Sequence, residues 1–88
     1  MKTEFLKSFN KDLDKLKLQS IKILIASVID NVEIANKASE IKNLKKLTGY
    51  KFAYRIKIGD YRIGLFIENN IVEFARVIHR KDIYKIFP

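Results

Sequence analysis

The stretch from Lys51 to Ile78 has the least freedom in how it can fold. It consists of three runs of alternating branched, aromatic and polar residues, separated by Gly59-Asp60 and Asn69-Asn70. Gly and Asn accept the positive φ that two-residue hairpin turns demand, so the pattern predicts three consecutive antiparallel strands over 51–58, 61–68 and 71–78. Counting outward from Gly59-Asp60 sets Ile58 against Tyr61, Ile56 against Ile63, Tyr54 against Leu65 and Phe52 against Ile67, an apolar face. The same count sets Lys57 directly against Arg62, and Arg55 against Gly64, on the other face. Counting from Asn69-Asn70 adds Ile67 with Val72, Leu65 with Phe74 and Tyr61 with Ile78 to the apolar face. On the other face it pairs Phe66 with Glu73, Gly64 with Ala75 and Arg62 with Val77. Arg76 then falls on the apolar face opposite Ile63, which predicts a structural arginine paired with a helix carboxylate.

An apolar sheet face requires a cover, and the N-terminal half supplies one. "KTEFL" reads as a short edge or end strand. Phe5, Phe9, Leu13 and Leu16 recur at helical spacing, and Ser20 is a candidate N-cap for a second helix with the stripe Ile21, Leu24, Ile25, Val28 and Val32. "NKASEIKNLKKLTGY" reads as a lysine-bearing connection with a helical turn around Ile41 to Leu44. "HRKDIYKIFP" reads as a short helix with Ile83 and Phe87 on one side and Arg80 and Tyr84 on another. The expected architecture is α+β in a single domain over residues 1–88. Two N-terminal helices pack on one face of a small, mostly antiparallel sheet in the order β-α-α-β-β-β, with a short C-terminal helix. The second sheet face is expected to stay open.

The 88 residues include no Cys and one His, which excludes a disulfide framework and argues against a structural zinc site. No apolar run approaches the length of a membrane span, and the N-terminus lacks a signal-peptide core, so the expected location is the cytoplasm. The net charge of +8 is unevenly placed. Residues 1–41 carry seven Lys and six acids, whereas residues 42–88 carry eleven Lys and Arg and four acids. A basic half beside a nearly neutral one points to a polyanionic partner, nucleic acid before membrane.

Like charges directly opposite each other destabilise a sheet. The Lys57–Arg62 pair therefore makes most sense if an anion completes it, with Arg as a planar fork and Lys as a point charge. Gly64 and Ala75 would leave a shallow floor beside Arg55, with His79 and Arg80 at its rim, a shape a phosphodiester could occupy. On an RNA chain the same cluster could stabilise the phosphorane formed when a 2′-OH attacks the adjacent phosphorus. His79, Tyr84 and Lys57 are the groups able to move the two protons such a reaction requires. No obvious carboxylate falls on the floor, Glu73 lying on that face but two strand positions away from the Arg62 row, so a nuclease of this kind would be weak alone and need help in positioning its substrate. A solvated basic face, a strand-terminating His79 and a surface-packed Tyr84 are the competing structural readings.

"YRIKIGDYRIGLFIE", the third strand after it and the ending "HRKDIYKIFP" resemble the RelE/ParE superfamily of toxins from type II toxin–antitoxin systems. The resemblance covers nearly the whole chain. It implies a toxin that cuts mRNA on the ribosome and so inhibits translation, an acidic cognate antitoxin, and no metal, cofactor or membrane partner. Carried over residue by residue, it implies catalytic roles for Arg55, Lys57, Arg62, Arg80 and Tyr84. His79 matches relatives that use a terminal His as acid or base, and the general base stays open between Lys57 and His79. Lys46 is a loose match to a basic residue before the hairpin, and with Lys51 and Lys81 it completes the expected RNA-binding set. A ParE-like gyrase inhibitor without nuclease activity, or a non-catalytic nucleic-acid-binding module, are the alternative functions.

Overall fold

The computed structural model describes residues 1–88. The elements run β1 (Lys2–Phe5), α1 (Lys7–Lys15), α2 (Gln19–Ile34), a 3₁₀ turn at Ala38–Glu40, β2 (Leu44–Lys46), β3 (Ala53–Ile58), β4 (Tyr61–Glu68), β5 (Ile71–His79) and α3 (Ile83–Ile86). The five strands form one sheet in the order β1-β5-β4-β3-β2, with β1 parallel to β5 and the other pairs antiparallel. The α+β architecture expected from the sequence is the one observed. α1 and α2 cover one face, burying Phe9, Ile21, Ile25 and Val32 against Ile56, Ile63, Leu65, Val72, Phe74 and Val77.

Both hairpin turns form where the Gly and Asn residues allow. Gly59 alone takes positive φ (+58°) in the first turn, the sign pattern of a type II′ hairpin, while Asn69 and Asn70 are both positive (53° and 64°), that of type I′. The β3–β4 register matches the outward count at every observed pair, Lys57–Arg62 and Arg55–Gly64 among them.

Three local expectations are corrected. α2 begins at Gln19 after Leu18, so Ser20 lies inside its first turn and caps nothing. The connection contains no helical turn at Ile41 to Leu44; Asn43 turns the chain with φ 62° and Leu44–Lys46 adds a strand to the sheet edge. Finally, the β4–β5 register holds only as far as Leu65–Phe74. Ala75 is an extra residue, so Gly64 meets Arg76, Ile63 meets Val77, Arg62 meets Ile78 and Tyr61 meets His79. A one-residue bulge reverses the facing of each side chain beyond it.

The cause of the bulge lies at the edge of β5. β1 ends at Phe5, and α1 takes over the free backbone groups that β1 no longer pairs. Ser8 Oγ donates to the Ala75 carbonyl at 2.6 Å, and Asp12 Oδ2 accepts the Val77 N–H at 3.1 Å. Arg76 turns over the same edge and donates to Asp12 from Nε at 2.7 Å and from Nη2 at 3.1 Å. The expected Arg–carboxylate pair is thus present, although Arg76 does not stand opposite Ile63. Asp12 is the only charged residue among the buried side chains, and its three donors offset the desolvation that burial imposes.

Candidate functional site

The cationic residues of the hairpin occupy the sheet face away from α1 and α2. Across it run two rows: Lys45 of β2 opposite Arg55 of β3 and then Gly64 of β4, and Lys57 opposite Arg62 and then Ile78. Two like-charged pairs are therefore held side by side, Lys45 with Arg55 and Lys57 with Arg62. None of the four has a carboxylate within 4 Å; the ion pairs of the chain are Arg76–Asp12, Arg80–Asp60 and Lys85–Asp82. Lys45 was not singled out by sequence. Its signal was a strand position opposite Arg55, legible only once β2 is known to pair with β3.

The turn between the strands holds the far end of this cluster together. Arg62 Nη1 donates to the Gly59 carbonyl at 2.8 Å and to the Tyr61 carbonyl at 2.9 Å, which folds its guanidinium over the turn. The Arg80 N–H donates to the Asp60 carbonyl at 2.7 Å, and its Nε lies 3.5 Å from Asp60 Oδ1. Arg62 and Arg80, 18 positions apart in the numbering of the chain, thus flank one two-residue turn.

The floor beside Arg55 is not open. A Cβ built on Gly64 would stand 2.7 Å from the Phe87 ring, so the missing side chain is what lets that ring lie on β4. Ala53, Ala75, Ile83 and Phe87 form a second small core there, and Phe87 tilts against Phe66 with ring centroids 5.1 Å apart. The small residues read as a shallow floor for a phosphate are instead the socket of the C-terminal segment. That segment leaves Tyr84 exposed at the border of a cleft of about 370 Å³, which Lys45, Lys46, Tyr50 and Arg55 also line.

Of the residues expected at the site, Lys46, Arg55 and Tyr84 meet at this cleft, and Lys57, Arg62 and Arg80 gather at the turn. Arg55 and Lys57, two apart on β3, join the groups on one face. Lys51 lies beyond Tyr50 on a neighbouring hollow that also touches Lys46. Lys81 is exposed in the turn before α3, where its N–H donates to His79 Nδ1 at 3.2 Å. His79 itself is placed elsewhere than at the rim of the cationic face. The bulge at Ala75 turns its ring toward Tyr61, edge-on at 5.5 Å between centroids, beside a hollow that also touches Asp12 and Lys15 of α1. Chemically, the cationic face can bind an oxyanion through unpaired Lys and Arg side chains and present a phenol beside it.

Comparison with known proteins agrees with this architecture. Residues 3–84 match the family model described as ParE toxin of the type II toxin–antitoxin system, parDE. The toxin RelE3 of Methanocaldococcus jannaschii is 39% identical over 89 aligned residues that span the whole of both chains. The toxin–antitoxin complex RelB-RelE from Methanococcus jannaschii contains a chain 37% identical, superposing with a TM-score of 0.82 over 97% of this chain and 99% of that one. A chain of the archaeal RelE-RelB complex from Pyrococcus horikoshii, 20% identical, shares the fold at a TM-score of 0.72 over 90% of this chain and 93% of its own. With the match running through nearly every element that builds the cationic face, the chain belongs to the RelE/ParE superfamily of type II toxin–antitoxin toxins.

Proposed function

We propose that this toxin is a ribosome-dependent mRNA endonuclease of the RelE kind. The observation that carries the reading is the pair of unneutralised cationic rows, Lys45–Arg55 and Lys57–Arg62, on the face that also presents Tyr84. In the proposed reaction a ribose 2′-oxygen attacks the adjacent phosphorus while its proton passes to a base. The P–O5′ bond then breaks, the 5′-oxygen takes a proton, and a 2′,3′-cyclic phosphate remains. Arg55 and Arg62 stabilise the added negative charge of the phosphorane. Lys57 is the candidate base, being exposed on the same face, and Tyr84 the candidate acid. His79 is less suited to either role, because its ring packs against Tyr61, on the side away from the cationic face. Arg80, clasped to the turn beside Arg62, adds positive charge at that end.

The proposed partners are the ribosome with its mRNA and a cognate antitoxin. The complexes from Methanococcus jannaschii and Pyrococcus horikoshii pair RelE with RelB, which supports an antitoxin here, and the basic face favours an acidic one. No helix is long and apolar enough to cross a membrane, and the proposed site of action is the cytoplasm.

The experiment is toeprinting on programmed ribosomes with wild-type protein and Arg62→Ala. Cleavage within the A-site codon by the wild type, strongly reduced in the variant, is the expected result. The family model's ParE description motivates a second reading, a gyrase poison. Intact mRNA together with gyrase-dependent DNA breaks that persist in Arg62→Ala would establish that reading in place of the first.

A further inference from the structure

Tyr50 is an exposed aromatic residue outside both hydrophobic cores. It sits in the turn that joins β2 to β3, where Gly49 takes φ +86° and the Tyr50 N–H donates to the Leu47 carbonyl at 3.3 Å. Its side chain is about half exposed (52%) and belongs to neither hydrophobic core. It borders two adjoining hollows. One, of about 370 Å³, also touches Lys45, Arg55 and Tyr84; the other, of about 470 Å³, also touches Lys46 and Lys51. An exposed aromatic ring between lysines and arginines is the composition of a single-stranded nucleic-acid groove, where the cations track phosphates and the ring carries a base.

We propose that Tyr50 is a stacking platform for a nucleobase of single-stranded RNA, adjoining the phosphate held by Lys45 and Arg55. The inference rests on reading the cationic face as an RNA site, and it adds a base contact to what would otherwise be backbone binding alone. A stacked base fixes the nucleotide's rotation about its backbone, which orients the neighbouring 2′-oxygen for attack. Since every base has a π-face, the contact selects single-stranded over duplex RNA and tolerates sequence.

The chain has no Trp, so Tyr50→Trp installs a single indole at the proposed platform. Titration uses a 2′-O-methyl hexauridylate, which cannot undergo 2′-OH attack, with inorganic polyphosphate as a base-free polyanion. Saturable quenching by the oligonucleotide and none by polyphosphate is expected. In parallel, Tyr50→Leu should bind the labelled oligonucleotide about 5- to 100-fold more weakly, and Tyr50→Phe should bind within about twofold of wild type. Unchanged binding by Tyr50→Leu, equal losses in Leu and Phe variants, or equal quenching by polyphosphate overturns the proposal. Should Tyr50→Leu fail to fold, the indole titration decides alone. Quenching without any A-site cleavage removes the nuclease reading and keeps the platform. Cleavage without quenching does the reverse.

Discussion

Lys57 and Arg62 stand directly opposite each other across the β3–β4 hairpin, and no carboxylate lies within 4 Å of either. They are not equivalent. Arg62 rests one nitrogen on the carbonyls of Gly59 and Tyr61, whereas Lys57 is exposed. The repulsion between them is therefore a cost that a bound phosphate would remove, and Lys57 is the partner whose charge can be deleted with the least structural loss. Lys57→Gln should leave stability unchanged or raise it, by a few tenths up to about 1 kcal/mol. The same protein should cleave mRNA on the ribosome roughly 10²-fold more slowly if Lys57 is the base. Paired melting and toeprinting measurements check this; lower stability with normal cleavage would make the cluster structural.

Arg62→Ala should slow cleavage by about 10²–10³-fold, the usual loss when a charge partner of the transition state is removed. It should also cost about 0.5–1.5 kcal/mol of stability, because two carbonyls of the turn lose a donor. Arg62→Lys should recover stability only in part and cleavage little, since an ammonium cannot reproduce a planar fork. Full recovery of cleavage by Lys would show that net charge alone suffices.

Gly64→Ala should displace Phe87 without harming the strand itself. Ala adopts the strand conformation readily, but its Cβ would meet a ring at 2.7 Å. The expected cost is about 1–3 kcal/mol. Cleavage should fall with it, because the segment that carries Phe87 also carries Tyr84. Phe87→Ala, which vacates the same socket, should cost about 3 kcal/mol, near the low end for a buried aromatic because the segment ends the sheet's second face. The two effects should be strongly non-additive, since once the ring is gone the added methyl meets open space. Additive losses in denaturant titrations would mean that Phe87 does not occupy the Gly64 socket in solution.

Asp12 should matter more than its position on a surface helix suggests. Asp12→Ala leaves a Val77 N–H and the Arg76 guanidinium without their acceptor, and should cost about 2–4 kcal/mol. Arg76→Ala should cost less, about 1–3 kcal/mol, since the carboxylate keeps the Val77 N–H and the side chain is 26% exposed. The hydrogen bond to Asp12, reinforced by its charge and opposed by burial, raises the Arg76 pKa above its ordinary value. A raised cation pKa stabilises at every pH below the ordinary value and is lost only as pH rises through the raised one. Arg76 should therefore contribute no pH dependence to melting through the neutral range. Cleavage by Arg76→Ala should stay near wild type at temperatures where the variant is folded.

The paired turns Gly59-Asp60 and Asn69-Asn70, the alternation of the strands between them and the helical spacing of Phe9, Ile21, Ile25 and Val32 were all decided locally. Neighbouring residues and backbone sterics suffice to specify them, and Lys57 accordingly meets Arg62 where counting placed it. Even the demand that Arg76 find a helix carboxylate was legible, because charge is costly to bury whatever the route to its partner. Three features were not local. Lys45 gained its place opposite Arg55 only when a three-residue strand with no clear alternation paired with β3. Gly64 read as empty space because nothing near it in the chain shows that Phe87 fills it. The bulge at Ala75 was invisible, since "EFARVIH" alternates acceptably in either register. Ser8 and Asp12, 67 and 65 residues away from their partners, docked α1 on the β5 edge. Their hydrogen bonds stabilise the extra residue, and through it turned His79 away from the cationic face. Local energetics select turns and periodicity, but the facing of a strand beyond an irregularity is set by whichever distant groups satisfy its unpaired backbone.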